Sequence, residues 1–297
     1  MRYNVRHVTR YHYEAQVAHA HHLAHLRPRE LPTQRVEHSR IDVLPVATAG
    51  SSHADYFGNI VDSFEIFGSH DTLQVTCTSV VTTLPNSLVS TALLMNDSWE
   101  QAAAQIAAQS SDTRVSEYVC VSPLLRPGST VRSFVREVFT PQKPLVAAVL
   151  ELSERIFTQF KYEVAATDVT TPINQVLGER RGVCQDFAHI AIASLRALGL
   201  AARYVSGYME TLPPPGQPRL IGADASHAWA SVYVPGAGWL DFDPTNNTLP
   251  GERYVTVAYG RDFSDVSPIK GVVLGGGAHQ ISVGVDVEPT APSLGPS

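Results

Sequence analysis

The stretch from Cys184 to Gly199 constrains this chain more than any other. Phe187, Ile190, Ala191, Ser194, Leu195 and Leu198 recur at helical spacing and form one stripe. Gly199 is a natural C′ terminator for that helix. Strand-like segments follow at residues 202–210, at 228–234 with period-2 alternation, and at 238–242. A proline-rich turn over residues 212–218 (LPPPGQP) joins the first two. One amphipathic helix followed at once by three strands requires a fold that mixes α and β.

The flanking regions divide by period. Up to about residue 84 the chain reads as β, with alternation at residues 3–9 and 59–66 and a run dense in β-branched residues at 72–83. Turn signals at residues 55–59 (DYFGN) and 68–71 (GSHD) separate these runs, so an antiparallel sheet or sandwich is expected. From 85 to 165 the pattern is helical. Leu145, Val149, Leu152, Ile156 and Phe160 fall on one helix face behind Pro144, which suits a first helical position. Residues 98–109 form a second expected helix, and 121–130 a loop. Residues 289–297 (PTAPSLGPS) read as a disordered tail.

Composition removes several classes of function. At 297 residues the chain can bury a sizeable core without a disulfide or metal staple. Its net charge of −6 is spread along the sequence, which argues against a nucleic-acid partner. The three cysteines, Cys77, Cys120 and Cys184, cannot all pair and show no CxxC spacing, so neither a disulfide framework nor a zinc knuckle is suggested. No signal-peptide core and no transmembrane-length apolar run is present, so a soluble cytoplasmic protein with no membrane partner is the expectation.

Cys184 sits at the expected helix start. Unpaired backbone N–H groups and the positive end of the helix dipole there favour a thiolate and could receive an oxyanion. His227 opens one of the following strands, and Asp243 ends the next. A hairpin of two antiparallel strands would make them neighbours although they are 16 residues apart. A histidine oriented by a carboxylate is the usual partner of a nucleophilic cysteine. Asp241 competes with Asp243 for that role, since the two point to the same face of an extended strand.

The string RRGVCQDFAHIAIASLRALGLAARYVSGY (180–208), followed by GADASHAWASVYVPGAGWLDFDPTN, resembles the bacterial transglutaminase-like superfamily, a branch of the papain-like cysteine enzymes. Upstream, His7, Thr9, Tyr11, Tyr13, residues 26–29 (LRPR), Gln34 and residues 55–59 are similar to that family's bacterial N-terminal region. Residues 260–266 (GRDFSDV) and 275–277 (GGG) are similar to its closing segment. The resemblance covers nearly the whole chain. It implies an α+β fold: an antiparallel β-sandwich-like domain over 1–84, a helical connection over 85–165, and over 166–288 a catalytic core whose cysteine-bearing helix packs on an antiparallel sheet. It further implies Cys184 as nucleophile, His227 as general base and then acid, and Asp243 as the orienting group, Asp243 occupying the family's Asp-Pro-Thr motif.

The expected chemistry is acyl transfer from a carboxamide of a peptide or protein through a thioester, with hydrolysis favoured over transamidation because water needs no dedicated acceptor site. A non-catalytic interaction module with a vestigial triad is the reading from a different class. No cofactor is expected, and no acidic loop of calcium-ligand spacing is seen. Trp229, two residues after His227, is a candidate wall of the substrate groove, with Tyr208, Tyr233 and Trp239 as core or cleft residues. Asp186 and His189 read as helix-capping and polar-face residues. Cys77 and Cys120 read as packing residues. His7, His12, His19, His21, His22 and His25 read as exposed strand histidines rather than metal ligands.

Overall fold

The computed structural model describes residues 1–109, 111–164, 166–211 and 226–290; the expected proline-rich turn at 212–218 lies outside them. The chain opens with strands β1 (Arg2–Ala24), β2 (Gln34–Leu44), β3 (Ala49–Ala54) and β4 (Ile60–Thr83). Helices α1 (Ser87–Leu94), α2 (Trp99–Ala108), α3 (Thr113–Ser116), α4 (Ser129–Arg136) and α5 (Leu145–Gln159) follow. Next come β5 (Lys161–Tyr162), α6 (Ile173–Glu179), β6 (Arg181–Gly182) and α7 (Cys184–Arg196). The last elements are β7 (Ala202–Met209), β8 (Ser226–Val234), β9 (Gly238–Phe242), β10 (Tyr254–Gly260), α8 (Phe263–Val266), β11 (Ile269–Gly275) and β12 (His279–Thr290).

The β-domain is one antiparallel sheet folded onto itself. β1 and β4 pair along most of their length, with β2 and β3 beside β4 and with β11 and β12 beside β1. Tyr11 and His22 lie on the same strand, 11 residues apart, which an extended chain would separate by about 36 Å. Their ring centroids are 6.5 Å apart. β1 therefore doubles back, at the break in pairing register between His12 and Val17. β4 bends with it, and the turn signal at residues 68–71 marks that bend inside one strand rather than a boundary between two. The two halves enclose a core that includes Val17, Leu26, Phe64, Ile66, Leu73 and Cys77. The expected sandwich is thus made by bending, not by stacking separate sheets.

Both ends of the chain build this domain. β11 and β12 pair with β1, and Val285 and Val287 are completely buried, so the residues expected to close the core at 288 instead complete the first sheet. Pro289 and Thr290, expected in a disordered tail, pair with Tyr3 and Arg2; residues 291–297 lie outside the described residues. The pairing partners lie far apart in sequence, from Ala24 with Ile269 to Arg2 with Thr290, and no local pattern signals so distant a contact.

Around α7 the fold follows the helical and strand periods. Every residue from Asp186 to Arg196 is buried, with β7 and β8 on one side and α4, α5 and α6 on others. Gly199 has φ 79°, a left-handed conformation that lets the chain turn from α7 into β7. β7 to β10 form an antiparallel sheet in the order β10-β7-β8-β9. Leu145, Val149, Leu152 and Ile156 of α5 are buried, and Phe160 ends it; Pro144 is its N-cap rather than its first helical residue. α2 starts on a reciprocal capping box between Ser98 and Gln101. The end of the expected 121–130 loop already belongs to α4.

Side-chain amides join the two sheets. Strand β10 is an edge, and edge strands carry unpaired backbone groups. Gln34 accepts from the Thr256 N–H (2.8 Å) and donates to the Thr256 carbonyl (2.7 Å). Asn59 does the same for Tyr259, both at 2.8 Å. These residues, quoted above for their resemblance to the N-terminal region, act as surrogate strand partners that fix the β-domain on the core. The Tyr208 hydroxyl adds a bond to the Leu26 carbonyl (3.1 Å).

Several burial expectations change. Cys77 is buried as expected, but Cys120 is exposed: it follows a 3₁₀ turn, so its Val-Cys-Val context is not a strand. Of the histidines, His12 and His21 are exposed, whereas His7, His22 and His25 are buried: His7 packs against Tyr208 of the core and His22 stacks on Phe64 inside the doubled-back sheet. Among the described residues no helix is long and apolar enough to cross a membrane, and no group of metal-ligating side chains converges.

Candidate active site

Cys184 begins α7, half-buried, with its N-terminal turn held by a carboxylate. Asp186 Oδ2 accepts from the Val183 N–H (2.8 Å) and from the Thr167 hydroxyl (2.6 Å). Asp186 is therefore the cap expected of it. His189 is buried rather than on a polar face, and its Nε2 accepts from the Phe263 N–H (3.2 Å). Burial lowers its pKa to about 4, consistent with a neutral acceptor.

His227 lies in β8 opposite Gly207 of β7. Its Nε2 is 2.8 Å from Asp243 Oδ2, and both residues are buried. The β8–β9 hairpin produces this meeting: Ala230 pairs with Phe242, so the first residues of β8 lie beside the chain leaving β9. Asn246 Nδ2 is 3.4 Å from the same Nε2, and the Cys184 thiol is near enough to act on the ring. With Nε2 engaged by the carboxylate, Nδ1 is the nitrogen left for the sulfur. Burial alone would keep His227 neutral, but the hydrogen bonds and charges of Asp243 and Cys184 more than offset it and raise the pKa to about 10.

The two competing carboxylates separate clearly. Asp243 is fully buried against His227, whereas Asp241 accepts from the Trp229 indole N–H (3.2 Å). Burial pushes the Asp243 carboxyl up, yet its hydrogen bonds with His227, Asn246 and Tyr254 hold it below the usual range. Oδ1 accepts from the backbone N–H of Thr245 (2.9 Å) and Asn246 (3.3 Å). Oδ2 accepts from the Asn246 amide (2.7 Å) and the Tyr254 hydroxyl (2.8 Å) as well as facing His227. Asn246 and Tyr254 were not singled out from sequence. Asn246 had a signal in its place just after Asp-Pro-Thr; Tyr254 had none, because it arrives from a separate strand.

Trp229 does face the same side as His227, with ring centroids 6.2 Å apart, but it is completely buried. It packs behind the histidine, edge-on to Tyr254 at 5.3 Å, instead of lining an open groove. Tyr204 and Tyr208 are buried, while Trp239 and Tyr233 pack together at 5.5 Å, so these aromatics belong to the interior and its rim. A residue that sequence reasoning missed is Tyr162. β5 pairs with β6 so that Tyr162 stands beside Gly182, two residues before the cysteine, and its ring is 6.4 Å from Phe187. It is half exposed, and the charge of Cys184 is one cause, after burial, of its raised pKa.

The indole of Trp229 closes over Gly207 so tightly that a Cβ there would meet Cη2 at 2.5 Å and the Val255 carbonyl oxygen at 2.2 Å. Gly207→Ala is expected to force β7 and β10 apart at the level of His227, costing roughly 3 kcal/mol. Thermal unfolding should show the loss, and alkylation of Cys184 should slow with it. A variant with unchanged melting temperature would contradict the packing argument.

Family comparisons agree with this architecture. Residues 3–82 match the bacterial transglutaminase-like N-terminal region, and residues 132–244 match the transglutaminase-like superfamily. An uncharacterised protein of Mycobacterium bovis is 40% identical, the match covering 97% of this chain and 93% of that one. A protein-glutamine gamma-glutamyltransferase of Pseudomonas aeruginosa is 31% identical over 117 residues, 39% of this chain and 18% of that one. The crystal structure of a "Putative Cysteine Protease" from Cytophaga hutchinsonii superposes with a TM-score of 0.76 at 19% identity, covering 98% of this chain and 92% of that one, and so shares its fold. Carrying both matched regions and a full-length relative, the chain belongs to the transglutaminase-like superfamily, with a bacterial transglutaminase-like N-terminal region ahead of its core.

Proposed function

We propose that the protein is a cysteine-dependent acyl-transfer enzyme acting on a carboxamide of a peptide or protein, with hydrolysis as the outcome. The observation that carries this reading is the buried His227–Asp243 pair, 2.8 Å apart, with Cys184 at the start of α7 near enough to act on the same imidazole. The Cys184 thiolate attacks the carbonyl carbon, and the oxyanion forms at the N-terminal turn of α7, where backbone N–H groups lack helical partners. The half-exposed Tyr162, whose hydroxyl feels the charge of Cys184, is a candidate side-chain donor to the oxyanion. His227 gives its proton to the leaving amine, the C–N bond breaks, and a thioester remains. His227 then takes a proton from water as it attacks the thioester, releasing the acid and restoring the thiolate–imidazolium pair. Asp243 keeps the ring oriented throughout. The same intermediate would pass its acyl group to an amine if one reached it before water; the γ-glutamyltransferase relative makes that the second reading.

Mapping iodoacetamide labelling against pH tests the nucleophile. Labelling of Cys184 below pH 7, lost in His227→Ala, is the expected result. Equal, slow labelling of Cys184 and exposed Cys120 would reduce the site to a vestige. Incubation with a glutamine-containing protein and a fluorescent amine then separates cleavage or deamidation from amine incorporation. Acyl-enzyme formation should fall as pH rises through about 10, where His227 loses the proton it must donate.

A further inference from the structure

Three donors crowd one oxygen of the triad carboxylate. Asp243 Oδ2 faces His227 Nε2 at 2.8 Å, the Asn246 amide at 2.7 Å and the Tyr254 hydroxyl at 2.8 Å. A carboxylate oxygen has two in-plane lone-pair sites, so three close donors share what two would saturate. Each added donor draws electron density from the oxygen and weakens its hold on the histidine proton.

Tyr254 is built to stay there. It is 8% exposed, opens β10 opposite Met209, packs edge-on against Trp229, and its hydroxyl is also 3.1 Å from the Thr248 hydroxyl. Asp243 and Thr248 form an isolated β-bridge, which ties the far side of this arrangement to the turn that carries the carboxylate. Asn246 Nδ2 is in addition 3.4 Å from His227 Nε2, so it borders the same contact.

We propose that Tyr254, supported by Asn246, is a positioning residue that limits how strongly Asp243 holds the His227 proton, leaving the imidazolium acidic enough to protonate a leaving amine. The inference rests on the acid–base role proposed for His227. Among the described residues, the titratable groups facing the ring are Cys184 from α7, Asp243 after β9 and Tyr254 from β10; β7 presents Gly207 opposite it. The Arg253 charge acts on Tyr254 itself. Removing the Tyr254 hydroxyl leaves Cys184 and Asp243 in place and concentrates charge on the oxygen that His227 faces.

The test is Tyr254→Phe, read first by NMR titration of the His227 ring protons, which needs no substrate. The midpoint is expected to move to higher pH by about half a unit or more. The alkaline limb of acyl-enzyme formation should follow it, with kcat lowered and KM unchanged. Asn246→Ala should shift the midpoint in the same direction, and it serves if Tyr254→Phe does not fold. A midpoint that is unchanged or lowered in either folded variant overturns the proposal. If the wild-type protein proves inactive, the NMR titration still decides the coupling, so that failure is distinct from failure of the enzymatic reading.

Discussion

Asp243→Asn is expected to slow acyl-enzyme formation by roughly 10³–10⁴-fold, the scale on which a triad histidine held in the wrong tautomer loses rate. Every neighbour of this carboxylate is a donor: His227, Asn246 and Tyr254 at one oxygen, and the Thr245 and Asn246 N–H groups at the other. An amide must turn its own N–H₂ toward one of these sets. Facing His227, it would oblige Nε2 to accept, placing the ring proton on Nδ1 toward Cys184, where it blocks deprotonation of the thiol. Facing the turn, it would set donor against donor in a buried place. Asp241→Asn is the informative control. Its amide oxygen still accepts from the Trp229 N–H, so stability should change by less than about 1 kcal/mol and rate should hardly change. Iodoacetamide kinetics at pH 6 on both variants would decide the matter. Equal effects at the two positions would remove Asp243 from the line.

That pair of variants also marks how far the sequence could be read. Helical period and a terminal glycine located α7, and hairpin logic brought His227 to Asp243, because each is local in the chain. Parity could not rank Asp241 against Asp243; the difference lies in depth past the end of β9, where the Asp243–Thr248 bridge turns the carboxylate inward. Trp229 shows the limit of face arguments. Its side was correctly read, but whether a face looks onto solvent or onto another layer depends on Gly207 and Tyr254, which come from neighbouring strands. The return of β11 and β12 to β1 was illegible for the same reason at larger scale. Non-local pairing leaves alternation, but no address.

The second large effect is a loss of stability on mild acidification. His7, His22 and His189 are buried, and burial lowers each pKa from 6.5 to about 4. His22 has no hydrogen-bond partner at either ring nitrogen among the described residues, and His7 has none at Nδ1. The unfolded chain therefore binds more protons than the folded one between about pH 6.5 and 4, and stability falls as pH drops through that window. At 1.36 kcal/mol per pH unit, each histidine contributes a loss of about 2 kcal/mol by pH 5. Three together, about 6 kcal/mol, reach the lower part of the 5–15 kcal/mol that holds a typical domain folded. His227 does not share this sign: its raised pKa gives a stabilisation that is complete below pH 6.5 and disappears as pH rises through about 10. Most carboxylates remain ionised at pH 5, so the histidines dominate the interval from 7.5 to 5. The melting temperature should fall by roughly 10 °C or more across it, at a few degrees per kcal/mol for a chain of this size. His189→Gln keeps an acceptor for the Phe263 N–H without titrating, and His22→Phe replaces the imidazole that stacks on Phe64 with a ring that has no nitrogen to protonate. Each should flatten the slope by about a third, whatever it does to stability at pH 7.5. A melting temperature that stays level from pH 7.5 to 5 in the wild type would show that these rings are solvated, and the packing described around His7, His22 and His189 would then be wrong.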